Sequence, residues 1–115
     1  MRSTNHFFVR GWVGQEPKLF GKTAKVAVGT NRSWKDKKGE MISATDWVTI
    51  TILNEKIAAW AVANVKKGDP VFAECRVANG SFEKNGEKIY TTEIIANIFD
   101  SLVQKDKITD EDEAH

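Results

Sequence analysis

Thr45-Asp46-Trp47-Val48-Thr49-Ile50-Thr51-Ile52-Leu53 decides the architecture. Val48, Ile50 and Ile52 alternate with Trp47, Thr49, Thr51 and Leu53. Successive side chains of a strand point to opposite faces, so one set enters a core and the other looks outward. The β-branched set makes the better core. Trp47 and Leu53 are then left on the outer face in line with the threonines. A large ring exposed on a strand face marks a contact site.

Working outward, Asn54 is placed to cap a helix that runs to about Val65. Ile57, Trp60, Ala61 and Val65 share one face at helical spacing, which predicts that Trp60 plugs one end of the core. Lys66, Lys67 and Gly68 close that helix. Upstream, His6–Val13 reads as a first strand, closed by Gly14 and Pro17. Thr23–Asn31 reads as a second, with Gly21 turning the short link Pro17–Lys22. Ser33–Glu40 is polar and reads as a loop, with Asp-x-Lys-Gly chemistry that suits a hairpin tip. Downstream, a strand starts at Asp69-Pro70, carries Val71, Ala73, Cys75 and Val77 on one face, and runs towards Phe82. Asn85-Gly86 is a strong hairpin signal, and Glu87–Phe99 is the last long strand. Three strands, a helix and two strands predict an all-β fold. The specific form is a five-stranded Greek-key OB barrel with one α-helix between strands 3 and 4. It should occupy residues 1–103, with a short acidic, disordered tail over 104–115.

Composition narrows the function classes. With 115 residues the chain is one domain able to bury its own core. A single cysteine, Cys75, excludes an internal disulfide and suits a reducing compartment; the thiol reads as a buried strand residue. The N-terminal apolar run Phe7-Phe8-Val9 is too short for a signal peptide, and the longest apolar run, Ile57–Ala63, falls far short of a membrane span, so a cytoplasmic protein is expected. Residues 1–104 hold 15 Lys/Arg against 11 Asp/Glu, whereas 105–115 hold two Lys against five Asp/Glu. A basic body with an acidic tail suits a phosphate-bearing partner.

Enzymatic motifs fail. Gly21-Lys22-Thr23 imitates the end of a P-loop, but Glu16 stands where the first glycine belongs and no helix follows. Two histidines, His6 and His115, and one cysteine assemble neither a zinc set nor a catalytic triad, so no metal or cofactor is expected. What remains is a set of aromatics interleaved with cations. Arg32, Lys35, Lys37 and Lys38 surround Trp34. Phe82 and Tyr90 bracket a hairpin that carries Lys84 and Lys88, and Trp12 follows Arg10 by two residues on one face. Lys25 and Arg76 add charge on neighbouring strands. Single strands are gripped without sequence preference by rings that stack on bases and cations that follow the phosphates. Each residue also has a duller reading: Trp12 in a subunit interface, Phe82 or Tyr90 packed across the hairpin, lysines simply solvated.

Several segments together resemble the bacterial single-stranded DNA-binding protein family over roughly residues 5–99. Thr30-Asn31-Arg32-Ser33-Trp34-Lys35-Asp36-Lys37 is similar to that family's Thr-x-x-x-Trp-x-Asp-Lys stretch, and Thr45-Asp46-Trp47 to its acid-Trp strand entry. Lys66-Lys67-Gly68-Asp69-Pro70-Val71, Tyr90-Thr91-Thr92-Glu93 and Gly14-Gln15-Glu16-Pro17 carry the rest. The resemblance implies that Trp34, Trp47 and Phe82 occupy base-stacking positions, and that Leu53 replaces a fourth ring. It implies sequence-nonspecific binding and protection of single-stranded DNA in replication, recombination and repair, and a homo-oligomer, as a rule a homotetramer. The chain departs from the pattern in three places. The Pro17–Lys25 link is short, Val48 stands where a subunit-contacting His is common, and the tail lacks the acidic Pro-Phe tip that recruits replication and repair enzymes. The competing reading is an OB interaction module of a primosome-type complex, in which the exposed tryptophans serve protein contacts.

Overall fold

A computed structural model describes residues 1–103; the expected tail, 104–115, lies outside the described residues. The elements are β1 (Phe7–Val13), β2 (Lys18–Phe20), β3 (Thr23–Lys35), β4 (Met41–Ile52), α1 (Glu55–Asn64), β5 (Pro70–Lys84) and β6 (Glu87–Ser101). Strand neighbours run β1-β5-β6-β4-β3-β2, and β1 also pairs with β3, which closes the sheet on itself. Five long strands with a helix after the third of them form the expected barrel. The short β2 is an addition: the link Pro17–Lys22 folds back onto β3, with Lys18 opposite Lys25 and Phe20 opposite Thr23.

The core is the predicted alternation made real. Ala24, Val26 and Val28 of β3 meet Ile50 and Ile52 of β4 and Val71, Ala73 and Cys75 of β5. At the seam between β1 and β3, a Cβ on Gly11 would lie 2.1 Å from the Gly29 carbonyl oxygen, so only glycine lets these backbones meet. The Asn54 side chain accepts the Ile57 N–H at 3.0 Å and starts α1 as expected.

Trp60 departs from its predicted place in the core and is 41% exposed. The buried stripe of α1 is Ala58 and Ala61, followed by Val65. Small side chains let the helix settle close against the barrel end. The indole is pushed to the rim, where it lines a groove with Lys56, Ile57 and Ile98.

The second departure concerns Ser33–Lys35, which belong to β3; the loop is confined to 36–40, a hairpin tip as the Asp-x-Lys-Gly stretch suggested. β3 continues to Lys35 and β4 begins at Met41, making a two-stranded arm that extends the barrel wall. Its tip is held by Asp36, whose carboxylate accepts the Lys38 and Glu40 N–H groups at 2.9 Å each, and Gly39 supplies a φ of 84°. Solvent touches much of this arm, so no alternation of apolar residues announced it. A second arm is formed by β5 and β6 around Asn85 (φ 52°) and Gly86 (φ 79°), the turn that the sequence predicted. At its base, Asn5 accepts the Val77 N–H at 2.9 Å and donates to the Val77 carbonyl at 2.8 Å, prolonging the β1–β5 ladder by one side-chain bridge. Val77 shares the core-facing parity of Cys75 but is exposed, because the arm leaves the barrel there.

Candidate nucleic-acid interface

Trp47 lies on the outer face, as the alternation requires, and is 59% exposed. Directly opposite it on β3 is Gly29. A Cβ at Gly29 would come within 2.7 Å of the six-membered ring, and one at Gly14 within 2.4 Å. The ring therefore rests against backbone that carries no side chains, and much of its surface stays open to solvent. Trp12 is also paired with Gly29, from the β1 side, so Trp12 and Trp47 flank one glycine. Two strand spacings separate them, about 10 Å.

From Trp47 a trough runs over the outside of the barrel. Its first part is walled by Gly14, Gln15, Ala27 and Trp47. The next shares Gln15 and Ala27 and adds Glu16, Lys18, Phe20, Lys25 and Thr49. A third part, about 410 Å³, shares Lys25 and Thr49 and reaches Thr51, Ser81, Phe82, Thr91 and Glu93 on the β5–β6 arm. The register explains this wall. Lys18, Lys25 and Thr51 pair across β2, β3 and β4; Thr51 pairs with Ile95 of β6, and Ile95 with Arg76 of β5. Directly paired residues share a face, so Arg76 and the two lysines stand at opposite ends of one row across the barrel. Thr51 and Ile95 between them are sunk in the floor, at 5% and 6% exposure. Half-exposed Leu53 continues the Trp47 face beyond Thr51. Lys84 shares the face of Phe82, opposite Glu87.

Trp34 and Arg32, and Tyr90 with Lys88, lie on the reverse faces of the two arms. Trp34 and Arg32 have the opposite parity to Trp47 along the β3–β4 ladder. Arg32 donates from Nε to the Asp46 carboxylate at 2.7 Å, and its guanidinium sits 4.9 Å from the Trp34 ring centroid. Across the other arm, Ser81 opposes Tyr90 and Phe82 opposes Ile89, so Tyr90 and Phe82 face opposite ways. Tyr90 is 73% exposed, with the Lys88 ammonium 5.6 Å from its ring centroid. Each arm thus carries one cation over one ring on its reverse face. Lys35, paired with Met41 at the arm's end, keeps the parity of Trp47, and Lys37 is in the turn. The single cationic groove expected from sequence is two surfaces: a barrel trough and the backs of two arms. Sequence could not separate them, because both arms continue strands whose parity becomes informative only once the register is known.

Arg10 falls outside both, on the outer face of β1 beside Phe72 of β5. Phe8 and Phe72 pack with ring centroids 6.3 Å apart, and His6 lies 5.0 Å from Phe8. Phe20 is the residue that sequence reading missed. A three-residue strand is too short to show alternation, and only its pairing with Thr23 places the ring on the trough side.

The described residues contain no group of three or more His, Cys, Asp or Glu placed to hold a metal ion. Cys75 is buried beneath the β1–β5 face; burial, aided by the Glu74 charge, pushes its thiol up to about 11, so it stays protonated and unreactive at neutral pH. No helix of the described residues is long and apolar enough to cross a membrane.

Barrel, trough and flanking cations define an OB-type single-strand binder. The single-strand binding protein family matches residues 4–102, and the chain belongs to that family, which is non-enzymatic. Among solved structures it is similar to the Plasmodium falciparum single-stranded DNA-binding protein in complex with ssDNA (27% identity, TM-score 0.71, covering 91% of this chain and 98% of that one). It also resembles the mitochondrial single-stranded DNA-binding protein of S. cerevisiae in fold (24% identity, TM-score 0.60, 88% and 97% covered). A third likeness in fold is the protein from Thermus aquaticus (19% identity, TM-score 0.70), of whose chain the match covers 52%.

Proposed function

We propose that residues 1–103 bind single-stranded DNA without sequence preference, protecting it in replication, recombination and repair, with the outer trough as the principal path. The observation that carries this is Trp47: an exposed ring seated over Gly14 and Gly29, at the head of a trough whose far wall holds Phe82 and whose middle holds Lys25. Trp34 with Arg32 and Tyr90 with Lys88 extend the surface along the arms, Arg76 and Lys84 add charge on the Phe82 side, and Trp12 flanks Trp47. Leu53 offers apolar contact in place of a ring.

The reading includes self-association, with a tetramer as its finer form. It is supported by the β1–β5 outer face, where Phe8 packs on Phe72 beside Arg10 and exposed Ile98 lies across from Glu74. Rings that pack on each other suit the middle of a protein interface better than they suit bases. One free, unreactive thiol fits the cytoplasm.

The test is a tryptophan-fluorescence titration with oligo-dT, repeated with duplex DNA and at two salt concentrations. Strong quenching by oligo-dT, weak response to duplex and loss of affinity with salt are expected. No quenching at micromolar protein in low salt overturns the reading and favours a protein-interaction module.

A further inference from the structure

Phe20 has a place in the trough that no motif assigned to it. It is 55% exposed at the end of β2 and pairs with Thr23, which puts it on the same face as Lys18, Lys25 and Trp47. It lines the middle part of the trough, which shares Gln15 and Ala27 with the Trp47 part and Lys25 and Thr49 with the Phe82 part. Leu53 is the apolar side chain one step beyond the β4 end of the same ladder. Phe20 and Leu53 therefore stand about two strand spacings apart, roughly 10 Å.

We propose that Phe20 is a base-stacking ring of the trough, supplying at the β2 edge the aromatic surface that Leu53 lacks. The proposal rests on the strand-binding reading above. Its occupant is single-stranded DNA because the ring comes with cations on its own face: Lys18 and Lys25 are direct cross-strand partners, two like charges that repel each other until a phosphate lies between them. Glu16 is the one carboxylate lining this part, and Lys22, the other nearby cation, is turned away to Glu55 at 3.1 Å. A ring, two lysines and continuity at both ends are what a stacking subsite on a phosphate track requires.

The experiment titrates the full chain with oligo-dT of increasing length, comparing wild type with Phe20→Ala, Phe20→Trp and Leu19→Ala. Leu19 is exposed on the opposite face of β2 and serves as the control. Phe20→Ala should weaken binding of long oligonucleotides about 10-fold, the size of one lost stack, and shorten the occluded site. Phe20→Trp should keep wild-type affinity and add a quenched tryptophan signal, and Leu19→Ala should bind as wild type. Wild-type affinity and site size in Phe20→Ala, with wild type itself binding, overturn the assignment while leaving the strand-binding reading intact. Failure of wild type to bind oligo-dT overturns both.

Discussion

Two outer surfaces of this barrel expose aromatic rings, and they differ in what lies between the rings. On the β2–β3–β4 side, Trp47 and Phe20 are separated by rows of lysine, threonine and alanine. On the β1–β5 side, Phe8 lies against Phe72 and His6, with Arg10, Glu74 and Asp100 as charged neighbours. The first arrangement leaves ring surface free beside cations; the second has already used ring surface on other rings. Exposed aromatics alone therefore do not identify a nucleic-acid site. On the reading proposed above, separation of the rings and the sign of the charge between them distinguish a strand-binding side from a self-association side, and the two meet at the Gly11–Gly29 seam.

The seam is where the comparison breaks most violently. Gly11→Val places a branched side chain where even a Cβ meets the Gly29 carbonyl oxygen. The β1–β3 closure should open at a cost on the order of 3 kcal/mol or more. Urea unfolding should show this as a large fall in midpoint, with both binding and self-association lost together.

Next in size are the paired lesions that separate the sides. Trp47→Ala should weaken oligo-dT binding about 10- to 100-fold, from the loss of one stack, without altering sedimentation mass. Phe8→Asp should do the reverse: a lower mass by sedimentation, with affinity for an oligonucleotide short enough to fill one trough retained. If both variants lose both properties, the division is wrong.

A smaller effect sharpens the charge argument. Lys25→Ala should lower the slope of log affinity against log salt by about 0.7, one single-strand phosphate contact, whereas Arg10→Ala should leave it unchanged. The smallest concerns Cys75, beneath the β1–β5 face. Its folded pKa of about 11 is raised above the ordinary 9.0, so the protonated thiol contributes stability below pH 9 that is lost as pH rises from 9 to 11. Cys75→Ala should flatten that alkaline decline in a thermal melt, and a thiol reagent at pH 8 should label native wild-type protein slowly and unfolded protein fully.

Much of this was legible in the chain. Val48, Ile50 and Ile52 announced the core wall, and the barrel with its helix between the third and fourth long strands followed. Asn54 marked the helix start, and Asn85-Gly86 the second arm. Trp47 could be placed outside from parity alone. Trp60 could not be placed, because helical spacing identifies a face but not how close that face comes to its neighbour; alanines at 58 and 61 drew the helix in too tightly for an indole. The length of the first arm was not legible beyond its hairpin tip, because two exposed strands carry no burial pattern. The two-sidedness of the candidate site was invisible for a related reason: Trp34 and Trp47, or Phe82 and Tyr90, can be sorted onto faces only when strand register is fixed, and register is a long-range property. Phe20 was missed because three residues are too few to alternate.

The most direct test of the two-sided account is backbone amide mapping by NMR, adding oligo-dT to isotopically labelled protein. The account predicts shifts concentrated on Lys25, Ala27, Thr49, Thr51, Phe82 and Thr91, with Phe8, Arg10, Phe72 and Glu74 unmoved. Shifts concentrated on the β1–β5 face instead, with the trough silent, would contradict it.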